Sequence, residues 1–157
     1  MRRSEPEKGE RIPLLELDSF LPYRLSVLSN TISSAIARSY SERFGLSIPE
    51  WRVMAVLGRY PRLSSGEIAG RTAMDKVQVS RAVARLLKSK RIERVRDGGD
   101  GRVWRLTLTP IGRAVYAQIV PLALSFERKL TEALSSKDRS ELSRLIEALA
   151  RIAQQQL

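Results

Sequence analysis

The sequence predicts a mainly α-helical fold carrying one small β-hairpin, placed directly after a pair of short helices. Three observations predict it. Apolar residues recur at spacings of three and four along most of the chain, the period of a helix face. Ser, Thr and Asp repeatedly precede these runs, with Glu or Pro where a helix start needs them. One stretch alone switches to alternation, around the turn Asp97-Gly-Gly-Asp-Gly101.

The first helical pattern runs from Leu14 to Phe44, with Leu21, Leu25, Leu28, Ile32, Ile36 and Tyr40 on one stripe. Proline is tolerated only in a first turn, so Pro22 puts the helix start near Ser19 to Pro22, and Gly45 stops the helix. Ser47-Ile-Pro-Glu50 reads as a capping box opening a second helix, whose apolar face is Trp51, Met54, Ala55 and Leu57 and which ends near Gly58 to Pro61. Ser64-Ser-Gly-Glu67 opens a brief third helix to about Arg71. After the turn at Thr72-Ala-Met74, Asp75 caps a helix to about Ser89. There Val79, Ala82, Val83 and Leu86 point inward, and Lys76, Gln78, Ser80, Arg81 and Arg85 point outward. Small helix, tight turn and polar-faced helix make a helix-turn-helix.

Ile92 to Arg96 and Arg102 to Leu108 then alternate, with Trp104, Leu106 and Leu108 on one face, and form a hairpin wing. Thr109 caps a helix with Pro110 at its first position. It carries Ile111, Val115, Ile119 and Leu122, and Pro121 is expected to kink or break it. A last helix starts near Lys137, capped by Ser136 or Ser135, and carries Leu142, Leu145, Ile146, Leu149 and Ile152. The fold class is therefore a winged helix-turn-helix domain with additional N- and C-terminal helices.

Composition narrows the function. A chain of 157 residues, 43% hydrophobic and 29% charged, is one ordinary domain with enough core to stand without disulfides or metal. No run approaches the roughly 18 apolar residues of a membrane span. Residues 1–13 are polar and mixed in charge, without a signal-peptide core, and read as a flexible arm on a cytoplasmic protein. The chain has no cysteine, which excludes disulfides, thiolate metal sites and thiol-oxidation sensing. It has no histidine either, so no Ser-His or Cys-His nucleophile and no imidazole base exists, and zinc would have to rest on carboxylates alone. Neither enzyme nor cofactor nor metal site is expected.

Charge supplies the positive clue. The formal net charge is +11, and between Arg71 and Arg105 eleven basic residues face four acidic ones, so +7 of it falls in that stretch. Such a local field attracts a polyanion by counterion release. Anionic membrane is the competing polyanion, but the segment lacks the aromatic-and-leucine face of an interfacial helix.

The order helix, helix, helix-turn-helix, wing, helix, helix resembles the MarR family of transcription regulators. Pro49-Glu-Trp-Arg-Val-Met-Ala-Val-Leu57 looks like its second helix, and Met74 to Leu86 like its recognition helix. Ile92-Glu-Arg-Val-Arg-Asp97, Asp100-Gly-Arg102 and Leu106-Thr-Leu-Thr-Pro-Ile-Gly112 look like its wing and fifth helix. The wing tip departs from the family pattern in having Gly101 between Asp100 and Arg102. On this reading residues 14–157 are one domain, with 14–44 and 110–157 as dimerisation helices and 47–108 as the DNA-binding lobe.

A helix in the major groove brings three or four side chains to base edges. The candidates are Gln78, suited to adenine, Arg81, suited to guanine, and Ser80, with Lys76 near the helix start. Arg85 is placed to reach phosphate, and Ser64 and Ser65 could offer hydroxyls and backbone N–H groups to the backbone. The resemblance implies that Arg102 enters the minor groove and that Asp100 orients it. The plainer reading of each residue alone is a solvated surface charge. The resemblance also implies a homodimer on a palindromic operator of double-stranded DNA, with repression relieved by a small molecule such as an aromatic carboxylate or its coenzyme A thioester. Asn30, Ser34, Arg38, Tyr40, Trp51, Arg52, Met54 and Tyr116 could line the effector pocket. The alternative for Trp51 and Met54 is core, and for Arg38 and Arg52 surface or dimer salt bridges. Two other classes remain: a nonspecific nucleic-acid-binding or nucleoid protein, and a dimeric adaptor that no longer reads DNA.

Overall fold

The computed structural model describes residues 13–99 and 104–155, which form two compact units divided after Ala35. The first consists of a turn at residues 17–19 and most of helix α1 (Leu21–Ala37). The Ser19 N–H and hydroxyl both donate to the Glu16 carbonyl ahead of the helix. Pro22 sits in the first turn, where its missing N–H has no partner to lose. No residue of α1 is buried, and Leu21, Leu25 and Leu28 are all about half exposed.

In the second unit the expected continuation of that helix to Phe44 does not occur. The chain tightens at residues 38–40, where Ser39 and Tyr40 donate their N–H groups to Ile36 and Ala37 at 3.0 and 3.1 Å. The Ser39 hydroxyl competes for the Ile36 carbonyl at 2.6 Å, the local bonding by which serine ends helices. A one-turn helix α2 (Ser41–Phe44) follows and does stop at Gly45, whose φ of 61° is the left-handed value a glycine adopts without steric cost.

Helices α3 (Ile48–Arg59), α4 (Ser65–Thr72) and α5 (Lys76–Lys88) each begin with a complete capping box, from Ser47 with Glu50, Ser64 with Glu67, and Asp75 with Gln78. Their buried faces (Val53, Met54 and Leu57; Ile68; Val79, Ala82, Val83 and Leu86) meet in one core with Tyr40, Leu46, Leu63, Met74 and Ile119. Strands β1 (Ile92–Arg96) and β2 (Trp104–Leu108) pair antiparallel, from Ile92 opposite Leu108 to Arg96 opposite Trp104. Ile92, Leu106 and Leu108 close the core. Trp104 shares the alternation of Leu106 and Leu108 but lies past the core edge, 49% exposed, with the Arg96 guanidinium 4.9 Å from its ring. Leu63 adds a single antiparallel bridge to Leu106, a third-strand contact the alternation pattern does not reveal.

Helix α6 (Pro110–Leu130) runs through Pro121 without the anticipated break. Pro121 is exposed, so the carbonyl its missing N–H would have bonded lies on a solvent-facing side. Helix α7 (Ser136–Gln155) is capped by Ser135, whose hydroxyl accepts from the Asp138 N–H at 3.1 Å. None of its residues is buried. Among the described residues no helix is long and apolar enough to cross a membrane.

Candidate nucleic-acid interface

The angle between α4 and α5 is set by the turn at residues 73–75. Ala73 is left-handed at φ 52°, an unusual conformation for a residue with a Cβ, and the flanking Thr72 and Met74 are buried. Thr72 ties its hydroxyl to the Ile68 carbonyl at 2.9 Å, so it needs no water in that position. With Ile68, Val79 and Ala82 in the core, the rest of α5 is driven outward. Lys76, Gln78, Ser80, Arg81 and Arg85 are all exposed, on the arc the helical period assigns them.

Local bonding qualifies two of the expected contacts. Gln78 closes the capping box, its side-chain carbonyl accepting from the Asp75 N–H at 3.4 Å. That contact is long, and the carboxamide NH2 stays available to a base edge. Ser64 is more occupied, since its N–H and hydroxyl both donate to the Glu67 carboxylate, at 2.8 and 2.7 Å. Ser65 is exposed at the first position of α4. Sequence reasoning passed over Val77. It is 58% exposed and shares an arc with Ser80 and Arg81, three and four residues on. The signal was available, as an apolar residue out of phase with the core positions; such a side chain suits a thymine methyl group.

The hairpin is tied to α4 and to the loop before it by arginines as well as by apolar packing. Arg105 donates from Nε to Asp97 Oδ2 at 3.0 Å, with Nη2 2.9 Å from the same oxygen, and its Nη1 pairs with Glu67 Oε2. Arg62 donates to the Arg96 carbonyl at 3.1 Å. The Ser64 N–H and hydroxyl, followed by Arg105 and Arg71, hold the Glu67 carboxyl below its usual pKa. The Arg105 hydrogen bond does the same for Asp97. Asp100 and Arg102 lie outside the described residues.

The expected effector residues separate into groups. Tyr40, Trp51 and Tyr116 form an aromatic row, with ring centroids 5.6 Å apart for the first pair and 6.0 Å for the second. Tyr40 is fully buried, its hydroxyl has no hydrogen-bond partner among the described residues, and burial raises its pKa against the lowering effect of Arg52. Met54 is core, Arg52 is half-buried and Arg38 exposed. Asn30 and Ser34 are exposed residues of α1, within the first unit.

A helix-turn-helix with a polar, basic recognition face, followed by a braced hairpin, defines a winged helix-turn-helix DNA-binding protein. The MarR family's sequence pattern matches residues 44–103, from the end of α2 into the hairpin. A helix-turn-helix transcriptional repressor of Mycobacterium tuberculosis, Rv2887, is 25% identical over 83% of this chain and 91% of its own length. A MarR/EmrR family regulator from Acinetobacter sp. ADP1 superposes with a TM-score of 0.83 at 26% identity, covering 90% of this chain and 99% of that one. The fold is shared at 20% identity with Bordetella bronchiseptica BpsR, whose structure concerns regulation of its DNA binding by 6-hydroxynicotinic acid (TM-score 0.76, covering 88% and 98%). The chain is thus similar to MarR family transcription regulators, by sequence pattern over residues 44–103 and by fold over most of its length. These relatives are regulators and not enzymes, in keeping with what the missing histidine and cysteine imply.

Proposed function

We propose that the protein is a repressor that binds a palindromic operator as a homodimer and is released by a small aromatic acid or its coenzyme A thioester. The observation that carries this reading is the exposed arc of α5, where donors for base edges stand together on a helix fixed by four buried residues. In this reading Lys76, Gln78, Ser80 and Arg81 read bases, Arg85 and Ser65 meet phosphates, and Arg102 with Asp100 serves the minor groove. The protein would act in the cytoplasm. A duplex selected by the protein from a randomised pool tests it. Enrichment of an inverted repeat, with half-sites about one helical turn apart, is the expected result. Equal affinity for scrambled duplex would favour the nonspecific nucleic-acid reading instead.

Dimerisation through residues 14–44 and 110–157 is supported by apolar surface that a lone chain leaves in water. Leu142, Leu145, Ile146, Leu149 and Ile152 form a stripe along α7, each 39–56% exposed. A stripe of that length calls for a partner. Light scattering after gel filtration should give twice the chain mass at micromolar concentration. The double variant Leu145→Glu, Ile146→Glu should run as monomer and bind a full operator at least tenfold more weakly, because each half-site must then be captured independently. A monomeric wild-type chain would overturn the dimer.

The aromatic row with the unpartnered Tyr40 hydroxyl supports the effector site, since aromatic faces beside an unmet polar group suit an aromatic acid. In a Trp104→Phe background only Trp51 reports. Benzoate-class acids, 6-hydroxynicotinic acid and aryl coenzyme A thioesters should change its fluorescence at the concentration that releases DNA. Release without any change at Trp51 would move the effector elsewhere.

A further inference from the structure

We infer that Arg105 is a positioning residue for DNA binding, bridging Glu67 of α4 and Asp97 at the end of β1 to fix the wing beside the recognition helix. The inference rests on the DNA-binding reading and adds to it a role for three residues that do not touch the nucleic acid.

Counting charge alone, Arg105 is one of eleven basic residues in the segment that attracts DNA. Its surroundings remove it from that role. The guanidinium is shared between two carboxylates, so the cluster carries a net charge of −1, and only about a quarter of the side chain is exposed. Two carboxylates placed beside a basic DNA-facing helix work against phosphate binding. Glu67 is also not required as an acid for its local task, since glutamine at the same capping position would serve α4 equally. What the acid adds is a charged partner for Arg105. The planar guanidinium can meet both carboxylates at once, whereas an ammonium is a single point charge on a flexible stem.

The link crosses the fold where little else does. The hairpin is anchored at its base by the Leu63–Leu106 bridge and by Ile92 and Leu108 in the core. Farther out, among the described residues, Asp97 is connected to α4 by way of Arg105, and Arg62 bonds to the neighbouring Arg96 carbonyl. Loss of the bridge should leave both ends folded but let the outer hairpin swing relative to α5.

The sign of the effect separates positioning from simple charge. Glu67→Gln and Asp97→Asn each remove a negative charge near DNA, so electrostatics alone predicts tighter binding. The bridge predicts weaker binding, by about fivefold on the selected duplex. Arg105→Lys keeps the charge and loses the fork, and should fall to the level of Arg105→Met. The double variant Glu67→Gln, Arg105→Met should bind no worse than Arg105→Met alone, because both changes break one link. Fluorescence anisotropy on the duplex enriched by the wild-type protein reads all five variants beside wild type, with melting temperature confirming that each is folded. If Arg105→Met does not fold, Glu67→Gln and Arg105→Lys decide the matter. Arg105→Lys binding like wild type, or Glu67→Gln binding as well or better, would overturn the inference. Failure of the wild-type chain to enrich any duplex would strike the DNA-binding reading itself.

Discussion

Replacing Gly112 with alanine will destabilise the protein by roughly 3 kcal/mol, although alanine is the better helix former. Gly112 stands in the first turn of α6, where glycine-to-alanine would ordinarily gain up to about 1 kcal/mol. Here an added Cβ would lie 1.9 Å from the Arg91 carbonyl oxygen and 2.9 Å from its carbon. That carbonyl cannot step aside cheaply. It accepts the Thr109 N–H at 3.0 Å, the Arg91 N–H is bonded to Leu86 at 3.0 Å, and the Arg91 side chain reaches the Phe44 carbonyl. Gly112 also donates its own N–H to the capping Thr109 hydroxyl at 3.0 Å, so a retreat of the helix start would break the cap. Thermal unfolding should show a midpoint lowered by about 10 °C. Gly70, in α4 with nothing within 4 Å of a built Cβ, is the control; its alanine variant should be neutral or slightly stabilised. A Gly112→Ala protein melting within 2 °C of wild type would contradict the close approach.

The second large effect is expected at Arg81. Arg81→Ala should lower affinity for the selected duplex by about 10- to 100-fold, the worth of one bidentate arginine–guanine pair, while scrambled DNA loses only a few-fold. Arg81 is exposed, with no hydrogen bond or ion pair among the described residues, so truncating it disturbs no internal contact. The buried neighbours Ala82 and Val83 hold the helix in place without it. Arg85 lies one turn along the same helix and should behave differently. Its alanine variant should weaken selected and scrambled duplexes alike and reduce the slope of log affinity against log salt by about one. Titrations at two salt concentrations check both. Equal losses on both duplexes for Arg81→Ala would remove it from base reading and leave it a phosphate contact.

Much of this protein is determined locally, and those parts were readable from the sequence. Ser47, Ser64 and Asp75 open their helices with the capping boxes their spacing announces, because a cap needs only residues three apart. Val79, Ala82, Val83 and Leu86 are buried because a single helical period separates them from the polar arc. Gly45 stops α2, and Thr109 with Pro110 starts α6, for equally local reasons. The exposed polar arc of α5 follows from the same periodicity.

Tertiary structure decided what depends on residues far apart in the chain. Tyr40 continues the apolar stripe of α1 in sequence, yet it leaves that helix for the core and stacks on Trp51, because the Ser39 turn redirects it. Trp104 alternates with Leu106 and Leu108 but extends past the core edge, and lies beside Arg96 instead of apolar neighbours. Pro121 stays in a continuous helix because its unbonded side faces outward. Arg105 reads as one more positive charge until folding brings Glu67, 38 residues away, and Asp97 to either side of it. Charge, capping and periodicity are properties of neighbours, which a sequence displays. Whether an arginine meets phosphate or carboxylate depends on which distant segments the core draws together.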